Sequence, residues 1–215
     1  MRKKTKRKRS DWWRGLGAHV EETLRLFSEK GREDREWMVV QEFLRTLGVP
    51  VKRSDLKTPG QHDDVDVYFH EARFQNVERM EKGRRRNDEF RRFAERVRRA
   101  RTIADLEVPR PDSTPMTAKE VLAEVVGSLT ARKQRKLVNR AELDALVYVN
   151  IRGRHLYPAP GTIDDARTVD ELGWRSVSAL WPPYAMVISA TDNAPVFLRE
   201  RTRRVILRDG IPWET

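Results

Sequence analysis

Apolar side chains fall along this chain in two rhythms, one with a helical repeat and one that suits strands. From Asp11 to Lys30, Trp12, Leu16, Val20, Leu24 and Phe27 recur at helical spacing, and Gly31 can end that helix. Asp34 to Leu47 is a second amphipathic helix, with Trp37, Val40, Leu44 and Leu47 on its stripe and Gly48 placed as a left-handed C-cap. Pro50 keeps Val49 to Arg53 extended. A loop, Ser54 to Asp63, carries Pro59 and Gly60. Two strand-like runs, Asp64 to Phe69 and Ala72 to Val77, then flank a tight turn at His70-Glu71. Gly83 to Arg101 is an Arg-dense helix whose few apolar positions are Phe90, Phe93 and Val97. After a proline-containing link, Val108 to Pro115, Thr117 and Glu120 form a capping-box pattern. It opens a helix that buries Leu122, Val125, Val126 and Leu129 and turns basic from Arg132 to Lys136. The near-continuous apolar run Asp144 to Ile151 reads as a central strand. Trp174 to Leu180 and Tyr184 to Ala190 are two more strands, and Phe197 to Arg204 reads as a short terminal helix. This order predicts an α/β fold with a mixed central sheet flanked by helices.

Charge adds a partner to that picture. The 215 residues hold 44 Lys and Arg against 33 Asp and Glu, a formal +11, which points to a polyanion and above all to nucleic acid. Seven of the first ten residues are basic and none is acidic. That run is either a disordered, solvated tail, because like charges repel, or a phosphate-binding arm that gains affinity by releasing counterions. No apolar run approaches the roughly 20 residues that span a bilayer, so no membrane partner is expected. The basic start is not followed by a signal-peptide core, and there is no cysteine, which excludes disulfides and thiolate metal sites. A cytoplasmic location fits these features. Trp12 and Trp13 read as packing residues rather than a base-stacking platform.

The chemistry concentrates between Asp64 and Arg86. Side chains alternate along a strand, so Asp64 and Asp66 share one face, and Arg73, Gln75 and Val77 form one row. If the two strands pair antiparallel across the short turn, Asp66 comes near Gln75. A carboxylate beside an amide oxygen can hold a hard cation such as magnesium (Mg2+), which activates water and neutralises charge at phosphorus. The plain alternative is an exposed hairpin with polar ends. Downstream, Lys82, Arg84, Arg85 and Arg86 stand around a helix start, where outward-pointing amides and bidentate guanidinium groups suit phosphate; a solvated helix face is the alternative. The four histidines lack zinc spacing, and Asp63, Asp64 and Asp66 lack the Gly and distal Glu of a calcium loop. There is no glycine-rich nucleotide loop and no nucleophile elbow.

Several of these residues also carry a family resemblance. Asp66 to Phe69, Ala72-Arg73-Phe74-Gln75, Glu78, Gly83 to Arg86, Asp88-Glu89-Phe90, the strand Leu146 to Ile151 and Gly173-Trp174-Arg175-Ser176 resemble a bacterial family of unknown function labelled as endonucleases. The resemblance covers about residues 33 to 205. It implies the restriction-endonuclease-like fold, whose signature is an Asp, then Glu or Gln, one intervening residue and Lys on adjacent strands, often joined by a Glu from a preceding helix. On that footing Asp66 and Gln75 take the metal and catalytic places, Glu36 or Glu42 is the helical acid, and Val77 stands where the Lys belongs. Arg73, or a cation from Lys82, Arg84 or Arg85, would have to replace it, or the protein binds nucleic acid without cutting it. The expected organisation is a basic tail at 1–10, a helical extension at 11–32, the nuclease-like domain at 33–205 and a C-terminal tail at 206–215. Two further readings stay open: a non-catalytic binding or assembly protein using the Arg-rich face, and a scaffold whose helices 11–30 and 117–138 dock a partner, a second copy of the chain included.

Overall fold

The computed structural model of the chain describes residues 2–59, 63–106, 113–133, 139–156, 166–208 and 211–212. Its frame is a mixed sheet of eight strands. In chain order these are β1 (Leu56–Lys57), β2 (Val67–Phe69), β3 (Ala72–Arg79), β5 (Asp144–Val149), β7 (Ser176–Trp181), β8 (Tyr184–Ala190), β9 (Arg204–Leu207) and β10 (Ile211–Pro212), and they neighbour one another in that same order. Only β3–β5 and β5–β7 pair parallel; the other five pairings are antiparallel. The two outermost strands are two residues long. A small separate sheet joins β4 (Thr114–Met116) to β6 (Arg154–Leu156).

Each face of the large sheet is covered by one long helix, for reasons visible in the sequence. Helix α2 (Arg32–Thr46) lays Val40, Phe43 and Leu44 on one face, against Val67, Phe69, Phe74, Leu146 and Leu180. Helix α4 (Ala118–Lys133) lays Val121, Val125 and Leu129 on the other, against Val77, Ala145, Val147, Val177 and Ala179. Leu146 faces one helix and its neighbours Ala145 and Val147 the other, so the unbroken apolar run of β5 is what a strand covered on both sides requires.

The capping box of α4 forms as its spacing predicts. The Glu120 amide donates to Thr117 Oγ1 at 3.2 Å, and the Thr117 amide donates back to Glu120 Oε2 at 2.7 Å. That backbone bond, then the Thr117 hydroxyl, hold the Glu120 carboxyl below its ordinary value. A depressed folded value contributes stability above the unfolded pKa and loses it as pH falls through the folded one. Glu120→Gln is therefore expected to flatten the acid-side fall in stability below the ordinary glutamate range, as read from thermal unfolding at stepped pH.

The chain divides into two compact units, one of residues 1–35 and 82–110 and one of residues 36–81 and 111–215. The first is helical. Helix α1 (Arg2–Leu26) pairs with α3 (Arg86–Arg99) through Val20, Ala94 and Val97, with Leu16, Leu24 and Phe93 packed around them. Gly31 sits between α1 and α2 where a Cβ would lie 2.3 Å from the Leu26 carbonyl oxygen, so no other residue fits without a shift.

Several sequence expectations are redrawn. The basic residues 2–10 lie within α1, as Lys and Arg are good helix formers. Residues 11–32, read from sequence as an extension, fall in one compact unit with residues 82–110. Trp12 is 45% exposed, edge-on to Trp13, and is not a core residue. The first hairpin strand begins at Val67 rather than Asp64: the Asp63 carboxylate accepts the Val65 amide at 3.1 Å, a local turn that breaks the alternation placing Asp64 and Asp66 on one face. The terminal helix is only α6 (Val196–Arg199); Val205-Ile206-Leu207 prefers the strand β9, which draws part of the tail 206–215 into the sheet. One more short helix, α5 (Arg167–Asp170), precedes β7. The Pro158–Gly161 turn lies outside the described residues.

Candidate functional site

The hairpin that carries Asp66 and Gln75 closes as a tight antiparallel pair. Val67 faces Phe74, Tyr68 faces Arg73 and Phe69 faces Ala72, while His70 takes a left-handed turn conformation at φ 50°. The Asp66 amide donates to the Phe74 carbonyl at 2.8 Å, one step beyond the strand proper. This extra rung sets the Asp66 side chain beside Gln75. Asp66 Oδ2 accepts Gln75 Nε2 at 2.6 Å and the Asn76 backbone amide at 2.7 Å. Both side chains are buried, with 8% and 7% of the residue exposed. A carboxylate so withdrawn from water persists only where such donors replace its hydration.

The other residues named for the site lie as follows. Val77 packs in the apolar layer under α4 with Val65, Met116 and Val147. Arg73 Nη1 donates to Glu142 Oε2 at 2.8 Å. Glu42 Oε2 lies 3.5 Å from Arg208 Nη2, and Glu36 offers its backbone carbonyl to Asn76 Nδ2 at 3.1 Å. Among the described residues, no group of three or more His, Asp or Glu side chains could hold a metal ion. Tyr68, in the first strand of the hairpin, donates to Asp63 Oδ2 at 3.1 Å; burial first, and that carboxylate second, push its phenol above the ordinary value.

The predicted phosphate ligands belong to the helical unit. Arg84 makes a bidentate pair with Glu89, Nε to Oε1 at 3.0 Å and Nη2 to Oε2 at 3.1 Å. Arg86 lies over the Phe27 ring, 4.7 Å from its centre, and that ring stacks on Phe90 at 4.4 Å. Lys82 and Arg85 are exposed. Gly83, at φ 82°, supplies the left-handed turn before α3.

A second buried constellation escaped sequence reasoning. Asp144, fully buried at the start of β5, accepts the Arg73 amide at 2.9 Å, Arg175 Nε at 3.1 Å and the Ser176 hydroxyl at 2.7 Å, with a further short bond from Arg175 Nη2. Arg175 also donates to the Glu71 carbonyl at 3.0 Å. One ion pair thus ties β3, β5, β7 and the hairpin turn together. The available signal was Gly173-Trp174-Arg175-Ser176, an Arg and a Ser leading into a buried strand beside another that opens on an Asp.

With this geometry in place the relatives can be weighed. Residues 8–212 match the family described as "Putative endonuclease, protein of unknown function (DUF1780)". The chain belongs to this family. A solved structure resembles this DUF1780 protein at a TM-score of 0.61 and 25% identity, over 93% of this chain and 95% of that one. It is described as a protein of unknown function from Pseudomonas aeruginosa strain PAO1, of the monooxygenase superfamily. No curated protein matches the chain. The two descriptions name different chemistries, so the residues themselves must carry any functional reading. Among the described residues no helix is long and apolar enough to cross a membrane.

Proposed function

We propose that this DUF1780 protein binds nucleic acid and that its nuclease-type hairpin is degenerate, serving the fold rather than hydrolysis. The sheet unit is read as restriction-endonuclease-like: an acid leads one strand, Gln75 stands on the antiparallel neighbour, and helix α2 precedes both. The observation that carries the degenerate reading is the state of Asp66. One of its oxygens receives a side-chain nitrogen and a backbone amide, while the position that should bear a cation is Val77 in the apolar core. Magnesium fits this set poorly. A hard cation needs oxygen ligands, and Gln75 turns nitrogen toward the carboxylate. Arg73 and Glu42 are engaged with Glu142 and Arg208. The formal +11 and the Arg-rich α3 support nucleic acid as the partner.

A second reading is favoured by the closeness of Asp66 and Gln75. Rotating the carboxamide by half a turn would aim its oxygen at the carboxylate, and Asp66 and Gln75 could then hold magnesium, with Glu36 or Glu42 assisting and Arg73 in place of the Lys. Incubation with end-labelled duplex DNA, single-stranded DNA and RNA in magnesium or manganese separates the two. The expected result is a retained, uncut complex. Divalent-dependent cleavage that Asp66→Ala abolishes, with binding intact, would overturn the degenerate reading in favour of the second.

A further inference from the structure

The charge of this protein is segregated between its two units. Residues 1–35 and 82–110 hold 23 of the Lys and Arg and 11 of the Asp and Glu, a formal +12. Residues 36–81 and 111–215 hold 21 and 22, a formal −1. The whole excess that would attract a polyanion therefore belongs to the helical unit, and the sheet unit with Asp66 contributes none of it.

Along α3 the charge has a face. Phe90, Phe93, Ala94 and Val97 recur at i, i+3, i+4 and i+7 along α3, and Ala94 and Val97 are buried against α1. Arg92, Arg96 and Arg99 recur at i, i+4 and i+7 on the opposite side, and all three are exposed. Among the described residues none of the three pairs with a carboxylate. Arg92 leans on the Asp88 carbonyl of its own helix, and Arg96 lies 5.8 Å from the Phe93 ring centre. By contrast Arg84 is clamped by Glu89, Arg86 covers Phe27, and Arg98 bonds Glu21 at 2.7 Å. Arg84 and Arg86, around the start of α3, are thus held by contacts within the protein, whereas Arg92, Arg96 and Arg99 are turned outward.

We infer that the outward face of α3, Arg92, Arg96 and Arg99, is the phosphate-backbone docking surface for nucleic acid, and that binding resides in the helical unit alone. This deepens the proposed function by naming where the polyanion is held. At 1.5 Å per residue the stripe is about 10 Å long, the span of about three successive phosphates of one strand. Guanidinium groups suit phosphate by their paired donors, and residues 82–101 contain nine Arg and one Lys. A lipid surface is the weaker match. Helices that lie on membranes bury their apolar face in the acyl boundary, and α3 has spent its apolar face on α1.

The test uses the full chain and a fluorescein-labelled 20-base-pair duplex, followed by anisotropy across a salt series. Arg92→Ala/Arg96→Ala/Arg99→Ala is expected to lower the slope of log affinity against log salt by about 3, and to weaken binding roughly 100-fold at about 0.15 M salt. A control, Arg152→Ala/Arg199→Ala/Arg204→Ala, removes three exposed arginines of the sheet unit and should leave both quantities unchanged. Equal losses in the two triples, or none in the first with its helix content intact by circular dichroism, would overturn the inference. So would binding to phosphatidylserine vesicles with no salt-dependent binding of the duplex. Cleavage of the duplex by the parent protein with the predicted loss in the first triple would sink the degenerate reading alone and leave this surface standing.

Discussion

Asp144→Ala is expected to destabilise the sheet unit by about 3–5 kcal/mol, because it strands the Arg175 guanidinium and two other donors, the Arg73 amide and the Ser176 hydroxyl, at a buried site. The carboxylate is fully buried and the Arg175 side chain only 11% exposed, so solvent screening cannot soften the loss. Urea denaturation followed by tryptophan fluorescence measures it, with Trp174 next in sequence to the ion pair and Trp181 at the far end of the same strand. Arg175→Lys should recover little. A single ammonium cannot reach both Asp144 oxygens and the Glu71 carbonyl in the arrangement that the planar fork allows. Asp144→Ala/Arg175→Ala should cost less than the two single losses together, since each single change leaves the other charge unpaired. Additive losses would mean that the two groups act independently of one another.

Asp66→Ala is expected to cost about 2–4 kcal/mol in the same measurement, since the buried Gln75 Nε2 and the part-buried Asn76 amide lose their acceptor. The sign of this change is diagnostic. An acid retained for chemistry is commonly a burden on the fold, and its removal is then neutral or stabilising. A clear loss supports Asp66 as the clasp of the hairpin, and a gain in stability favours the hydrolytic reading. Gln75→Ala, which leaves Asp66 the backbone donor, should cost less than Asp66→Ala.

Much of the frame was legible in the sequence. The stripe of Val40 and Leu44, the unbroken run Leu146 to Val149 and the Thr117–Glu120 spacing each respond to a local rule, and each predicted element formed. The hairpin turn at His70-Glu71 fixed the register, which is why Asp66 and Gln75 could be paired from sequence alone. What those two side chains do was beyond such rules. How closely the two side chains meet depends on a turn set by Asp63 and on one extra backbone rung past Val67. The pairing of α1 with α3 was equally hidden, because contacts between residues 20 and 97 leave no mark in either local pattern. Of the run Phe197 to Arg204, helix continues only to Arg199, and an isolated bridge from Thr202 to Val187 leads into the strand that follows.

Among the described residues the outermost strands of the sheet are two residues long, and Pro212 in the last of them has no amide to offer a newcomer. An incoming strand would find little ladder to extend at these margins among the described residues. Crowded side by side along a polyanion, as proteins recruited by charge tend to be, neighbouring copies could approach closely without stitching their sheets together into fibrils.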